Sequence, residues 1–226
     1  MPTPDSQIPY WNAAASKKTF THPLHLPWIR RLDGQAAILD YGCGYGRVMA
    51  ELQQLGFHNL TGTDTSPHMI GRARHTHPTL SFNLPAELRS PPASFDAALL
   101  FAVLTCIPDD LTQHRLITQL YGLLKPGGTL YLSDVLLQPD DRNRRRYDRD
   151  ADTYGTYGVF RTSDGAICRH HSRERLSTLL ADFEITDSRT VPVPTMNGHA
   201  TTVIQLLAQS RPLLARLGRA ERSGRG

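Results

Sequence analysis

The chain has 226 residues, 39% hydrophobic and 20% charged, which suffices for one α/β domain with a full core and excludes a disordered chain. No apolar run of about 18 residues occurs, so a membrane-spanning helix is not expected. The formal charge of +4 is carried by the segment from Arg211 onward, where five arginines meet one acid, Glu221; the rest is near neutral, which argues against binding a nucleic-acid backbone.

Residues 1–10 lack the basic and apolar regions of a secretory signal. The three cysteines, Cys43, Cys106 and Cys168, form no C-x-x-C pair. Neither a disulfide frame nor a metal site is expected, and the expected compartment is the cytoplasm. Tyr10 and Trp11, in a proline- and alanine-containing start, read as contacts to a bound ligand or as simple packing, and apolar spacing over 24–32 predicts a helix.

A short buried strand is predicted over 35–40, followed by Asp40-Tyr-Gly-Cys-Gly-Tyr-Gly46 and an amphipathic helix over 47–56. Three glycines at alternate positions thus lie in a strand-to-helix turn, where a missing Cβ permits a tight backbone and close approach of a ligand. The helix that follows opens with free N–H groups. The spacing is not that of a dinucleotide site, because the third glycine comes one residue early. Asp40 would repel a pyrophosphate and pair with an ammonium group. A second strand over 59–64 ends on Asp64, placed to accept the hydroxyl protons of a ribose. Ser66 and Pro67 read as the cap and first position of the next helix, with Met69 and Ile70 available to an adenine plane.

A weak third strand covers 79–82, and a continuous apolar fourth strand covers 95–102, as for a strand buried on both faces. A helix over 111–124 then meets Leu123-Leu-Lys-Pro-Gly-Gly-Thr, a turn that no helix can cross, and a fifth strand follows. Strand, acid, G-x-G-x-G and helix resemble the first motif of class I S-adenosylmethionine-dependent methyltransferases. Leu-Lys-Pro-Gly-Gly before a β run closely resembles a later motif of that family. The resemblance covers residues 36–136 well and the remainder in outline.

The resemblance implies a Rossmann-like α/β fold: a seven-stranded methyltransferase sheet, helices on both faces, an antiparallel last strand, and an added β-hairpin lid after strand five. It implies S-adenosyl-L-methionine as cofactor and S-adenosyl-L-homocysteine as product. Expected cofactor residues are Asp40, Gly42, Cys43, Gly44, Gly46, Asp64, Thr65, Met69, Phe101 and Ala102. Relatives carry an adenine-contacting Asp where this chain has Leu84, so Asn83 or Glu87 is expected to supply that contact. The Asp/Asn-Pro-Pro-Tyr motif of nucleic-acid amino-methyltransferases is absent after strand four.

Between 140 and 150, five arginines and four aspartates nearly balance, which reads as a solvated helix or loop with local ion pairs, recognition of an anionic substrate being the alternative. Ser163-Asp-Gly165 between two β-like runs signals a hairpin, with Tyr154, Tyr157 and Phe160 as an aromatic lid for a small molecule. His170 and His171 end it and are the candidates for a catalytic proton acceptor. A helix over 172–182 precedes two strands over 183–192 and 200–208, whose connecting loop offers Met196 and Asn197 to the acceptor. The expected organisation is an N-terminal lid segment and helix over 1–34, the methyltransferase domain over 35–209 with its hairpin insertion over 137–171, and a basic disordered tail over 210–226. The N-terminal segment reads either as a lid or as a helix patching the sheet. The expected activity is methyl transfer to an O, N or S atom of a small aromatic or heterocyclic metabolite. The alternatives are a protein or RNA methyltransferase, or a non-catalytic S-adenosylmethionine-binding protein.

Overall fold

The computed structural model describes residues 7–212. Its centre is a seven-stranded sheet. Strands β1 (Ile38–Tyr41), β2 (Leu60–Thr63), β3 (Ser81–Asn83), β4 (Phe95–Phe101) and β5 (Leu124–Val135) run parallel. Two further strands, β8 (Phe183–Pro194) and β9 (Ala200–Ser210), close the far edge in the order β3-β2-β1-β4-β5-β9-β8, with β9 antiparallel to both neighbours. The strand order reverses between β1 and β4, the crevice where open α/β sheets bind ligands.

Successive residues of a strand face opposite sides, and the core follows that rule. Ile38, Leu99 and Tyr131 enter one buried cluster, with Trp28, Met49, Leu52 and Phe82. Their neighbours Leu39, Leu100 and Leu132 enter the other, with Leu116, Leu120, Leu176 and Phe183. Helices cover both faces, which is why β4 is apolar from Ala97 to Phe101: α3 (Arg47–Gln54) and α4 (Pro67–Thr76) contribute to the first cluster, and α5 (Asp110–Leu123) and α7 (Arg173–Leu179) to the second. Helix starts follow local chemistry. Ser66 Oγ accepts from Met69 N, Asp109 accepts from Leu111 N and Thr112 N, and Ser172 Oγ accepts from Arg175 N.

The departures from expectation lie outside the sheet centre. A helix α1 (Ile8–Ala14) forms where no helix was predicted, and α2 (Leu26–Ile29) is a single turn. The α1 segment is held by partners remote in sequence. Gln7 donates to the carbonyls of Cys106 and Ile167 and accepts from Ile167 N, and Asn12 Oδ1 accepts from Ser66 Oγ. The arginine-rich segment is helix α6 (Asp141–Tyr154), ended by Gly155 in the left-handed region. Consequently the hairpin is shorter than predicted: β6 (Val159–Arg161) pairs with β7 (Ile167–Arg169), and neither Tyr154 nor Tyr157 belongs to it. The expected tail lies almost wholly outside the described residues.

Candidate active site

A cavity of about 390 Å³ opens at the carboxyl ends of β1 and β4, under α1 and the β6–β7 hairpin, with a mostly apolar lining. Asp40, Gly42, Cys43, Asp64, Thr65, Met69, Phe101 and Ala102 line it. Gly44, Gly46, Asn83 and Glu87 do not line it. Glu87 is turned away by two local bonds, accepting from Leu84 N at 2.8 Å and pairing with Arg74 at 3.0 Å. Asn83 donates to Ser81 Oγ on the exposed edge of the sheet.

The glycine turn is built as its sequence demands, for a reason the sequence did not reveal. Gly42 and Gly44 have φ of 78° and 55°. A Cβ at Gly44 would stand 2.1 Å from Phe20, and one at Gly42 would stand 2.3 Å from Val103. The absent Cβ atoms therefore admit the N-terminal segment and the loop after β4. Asp64 anchors the turn from β2: its carboxylate accepts from Gly44 N at 2.9 Å and from Ser66 N at 2.8 Å. Burial pushes Asp64 up, and those two backbone bonds oppose the shift.

Asp40 is 2% exposed, and its Oδ2 has no hydrogen-bond partner. Burial pushes its carboxyl up to about 7, with Arg47 opposing and Asp64 and Glu51 adding to the shift. A buried carboxylate oxygen without a donor, facing a cavity beside a glycine turn, fits an ammonium ligand. At the end of β4, Ala102 takes a left-handed φ of 56°, a conformation that costs about 1–3 kcal/mol and clusters at functional sites. Its N–H donates to Ser133 O at 2.7 Å.

The acceptor side is enclosed by segments far apart in sequence. Tyr10, Trp11, Phe160, Met196 and Asn197 line the cavity; Tyr154 and Tyr157 do not, and Tyr157 packs edge-on against Tyr147 at 5.3 Å. Tyr10 Oη donates to Asp164 Oδ2 at 3.0 Å and Lys18 Nζ pairs with it at 2.7 Å, fastening α1 to the hairpin tip. Lys18 also bonds Asn197 Oδ1, and Thr21 donates to Pro194 O at 2.6 Å, which ties in the β8–β9 loop.

The two predicted histidines part company. His170 lines the cavity, its Nδ1 2.6 Å from Tyr147 Oη. Because Tyr147 Oη already accepts from Gln138 N, its proton goes to His170. Burial first, then Arg146, His171 and Arg142, hold His170 well below its ordinary value. His171 is buried among Gln113 and Asp134 and does not line the cavity. A third histidine, His22, was missed by the sequence reading. It is buried, lines the cavity, and its Nδ1 lies 3.1 Å from Ser133 O and 3.0 Å from Ser133 Oγ. Nothing near it in sequence marks it, since Ser133 is 111 positions away. Arg47, Arg142 and Arg146 also line the cavity.

Sheet order and flanking helices define a class I methyltransferase fold, with the glycine turn at its ligand-binding crevice. Residues 18–186 match the family model of a methyltransferase domain, and the chain belongs to that family. An S-adenosylmethionine-dependent methyltransferase structure from Methanosarcina mazei superposes with a TM-score of 0.79 at 27% identity, over 84% of this chain and 99% of that one. The ubiquinone biosynthesis O-methyltransferase of Xanthomonas campestris pv. campestris is 32% identical over 145 residues, 58% of this chain and 57% of that protein. The ribosomal protein L11 methyltransferase of Burkholderia mallei is 28% identical over 176 residues, 74% of this chain and 54% of that protein. The chain thus spans little more than half the length of these curated relatives. Among the described residues, no helix is long and apolar enough to cross a membrane.

Proposed function

We propose that this domain moves the methyl group of S-adenosylmethionine to an O, N or S atom of a small aromatic or heterocyclic acceptor. The observation that carries the reading is the cavity itself. It brings Asp40, buried with its Oδ2 unpartnered, together with Phe20 over the glycine turn and a lid of Trp11 and Phe160. Ligand sites of this kind are mainly apolar with few placed polar groups.

When bound, S-adenosylmethionine supplies an electrophilic methyl group on a cationic sulfur. Asp40 pairs with the cofactor's ammonium group. Asp64 takes the ribose hydroxyls on the lone pairs its two backbone bonds leave free. Met69 packs beside the base, and Phe101 and Ala102 flank the reacting end. Their work is alignment of nucleophile and leaving group with water excluded. His22 accepts the acceptor's proton at Nε2 where that group is protonated at working pH. His170 offers the opposite character, an Nε2–H donor, to a neighbouring acceptor oxygen. Asn83, Glu87, Tyr154, Tyr157 and His171 are given no direct role.

The name of the Xanthomonas relative agrees with a small acceptor, and that of the Burkholderia relative favours a second reading, a protein acceptor. Incubation with methyl-labelled cofactor and a cell extract separates the two. Label in the small-molecule fraction supports the proposal, and label only in macromolecules overturns it. Melting-temperature increases with S-adenosylmethionine and S-adenosylhomocysteine, and none with NAD, test the donor site.

A further inference from the structure

Helix α6 carries five arginines, and they divide by partner. Arg144 pairs with Asp141 at 2.6 Å and Arg149 with Asp150 at 2.7 Å. Arg145 faces solvent. Arg142 and Arg146 have no ion-pair partner among the described residues, and both line the cavity. Four residues apart, they share one helix face.

Arg146 is held as a recognition group would be. Its guanidinium lies 3.6 Å over the ring of Phe160, which fixes its plane, and it also bonds the Tyr147 side chain, so the N–H groups that remain in that plane are the ones a ligand would meet. Its Nε is buried with no hydrogen-bond partner. Burial draws the guanidinium below its usual range, and Arg142 adds to that shift. Arg146 and His170 thus meet at one corner of the cavity without an ion pair, and Arg142, more exposed and beside Asp140, lies within electrostatic reach of both. Like charges on one helix face repel, and a half-buried guanidinium without a counter-charge is costly. An oxyanion in the cavity offsets both costs through charge-assisted, fork-shaped hydrogen bonds.

The corner belongs to the hairpin end of the site. Arg146 neighbours Phe160 and Tyr147, on β6 and α6, whereas the glycine-turn end has its own arginine, Arg47, bonded to Glu51 and to the His22 carbonyl. We propose that Arg146 and Arg142 form an oxyanion subsite, so that the methyl acceptor is a small aromatic molecule bearing a carboxylate or phosphate group. This rests on the small-acceptor reading above and narrows it to anionic acceptors.

Calorimetric titration of the full chain saturated with S-adenosylhomocysteine tests it, using probe pairs that differ in charge. These are 4-hydroxycinnamate against its amide, and phenyl phosphate against phenol. At least one acid should bind tenfold or more tightly than its neutral partner, and which pair discriminates identifies the oxyanion. Arg146→Gln and Arg142→Gln should bring that ratio close to one, Arg146→Lys should retain part of it, and Arg144→Gln should leave it unchanged. S-adenosylhomocysteine affinity should stay within about twofold throughout. The proposal is overturned if neither acid is preferred, if Arg146→Gln keeps the preference, or if Arg146→Gln weakens the homocysteine product instead, which would give the arginines to the cofactor. Wild-type protein that does not bind S-adenosylhomocysteine overturns the functional reading itself, and this proposal with it.

Discussion

His22 hangs by its Nδ1 on the carbonyl oxygen of Ser133, 3.1 Å away, the oxygen that also accepts the N–H of Ala102 at 2.7 Å. With the ring proton on Nδ1, donated to that carbonyl, Nε2 keeps its lone pair. Burial holds the imidazole below its ordinary value of 6.5, although Asp134 and the Ser133 bond oppose this. The base therefore stays neutral through physiological pH, one hydrogen-bonded oxygen from the strained end of β4.

That arrangement predicts that His22→Ala lowers kcat by about 10²–10⁴-fold for a protonated acceptor, with unchanged affinity for S-adenosylhomocysteine. The wild-type rate should fall on the acid side, below pH 6.5, as Nε2 becomes protonated. The variant should lack that limb. Steady-state rates from pH 5 to 9 decide it, and a variant within threefold of wild type would remove His22 from the chemistry.

Asp40 predicts a pH dependence of the opposite sign. Its folded-state value is raised from 3.8 to about 7 by burial. Folding thus favours the protonated form. The stability this brings to the ligand-free protein is fully present below pH 3.8 and is lost as pH rises through about 7. About three units correspond to about 4 kcal/mol. Asp40→Asn should therefore raise the ligand-free melting temperature at pH 8 while weakening cofactor binding at least tenfold. An ammonium ligand restores the charged carboxylate, so binding at pH 7 should release a fraction of a proton. Calorimetry in two buffers of different ionisation enthalpy measures it, and zero release would separate Asp40 from the ammonium group.

How much of this was legible depends on how local each cause is. The turn at Gly42–Gly46 and the Ser66 cap follow from neighbours in sequence, and the structure has them where the sequence places them, whereas the break expected at Pro126 comes earlier: α5 ends at Leu123 and β5 already begins at Leu124. Sheet order came from resemblance, since periodicity alone cannot order strands. Helix α1 was illegible because Gln7 and Asn12 hold it through Cys106, Ile167 and Ser66. The hairpin was overextended because Tyr154-Gly-Thr-Tyr reads like a strand, yet α6 runs on until Gly155 stops it. Glu87 was read as a cofactor ligand from its position relative to the family pattern, while Arg74 and Leu84 N give it nearer partners. The division of the α6 arginines was half visible: the i, i+4 spacing of 142 and 146 was there, but not which face met the cavity.

Asp64 separates a structural from a binding contribution. Its carboxylate holds Gly44 N and Ser66 N, two hydrogen bonds to a charged group. Each contributes about 1.5–3 kcal/mol. Asp64→Ala should thus lower the ligand-free melting temperature by roughly 6–24 °C for a domain of this size. It should also weaken S-adenosylhomocysteine binding. Asp64→Asn keeps an accepting oxygen and should lose about half the stability but most of the ribose contact. Equal losses of stability and affinity in the two variants would assign Asp64 to the turn alone.

Asp164, at the hairpin tip, accepts from Lys18 at 2.7 Å, Thr162 at 2.6 Å and Tyr10 at 3.0 Å. Burial alone would raise its carboxyl, but these bonds outweigh it and hold the group well below the usual carboxylate range. A depressed value means the clasp is present above the ordinary carboxylate value and is lost only in strong acid, so closure should be insensitive to pH between 6 and 8. It should be sensitive to salt, because the groups are partly exposed. Asp164→Ala frees Tyr10 and Lys18 together. Amide exchange over residues 7–18 and 159–169 should then rise at least tenfold, while exchange in β1 and β4 stays constant. With acceptor present, KM should rise more than kcat falls if these segments form the proposed lid over the acceptor, since neither Asp40 nor Asp64 belongs to the clasp. Tyr10→Phe keeps the Lys18 pair and should give a smaller change of the same kind. Exchange that rises equally in the sheet would mean that Asp164 supports the whole fold, and unchanged exchange in both lid segments would mean that they close by apolar packing alone.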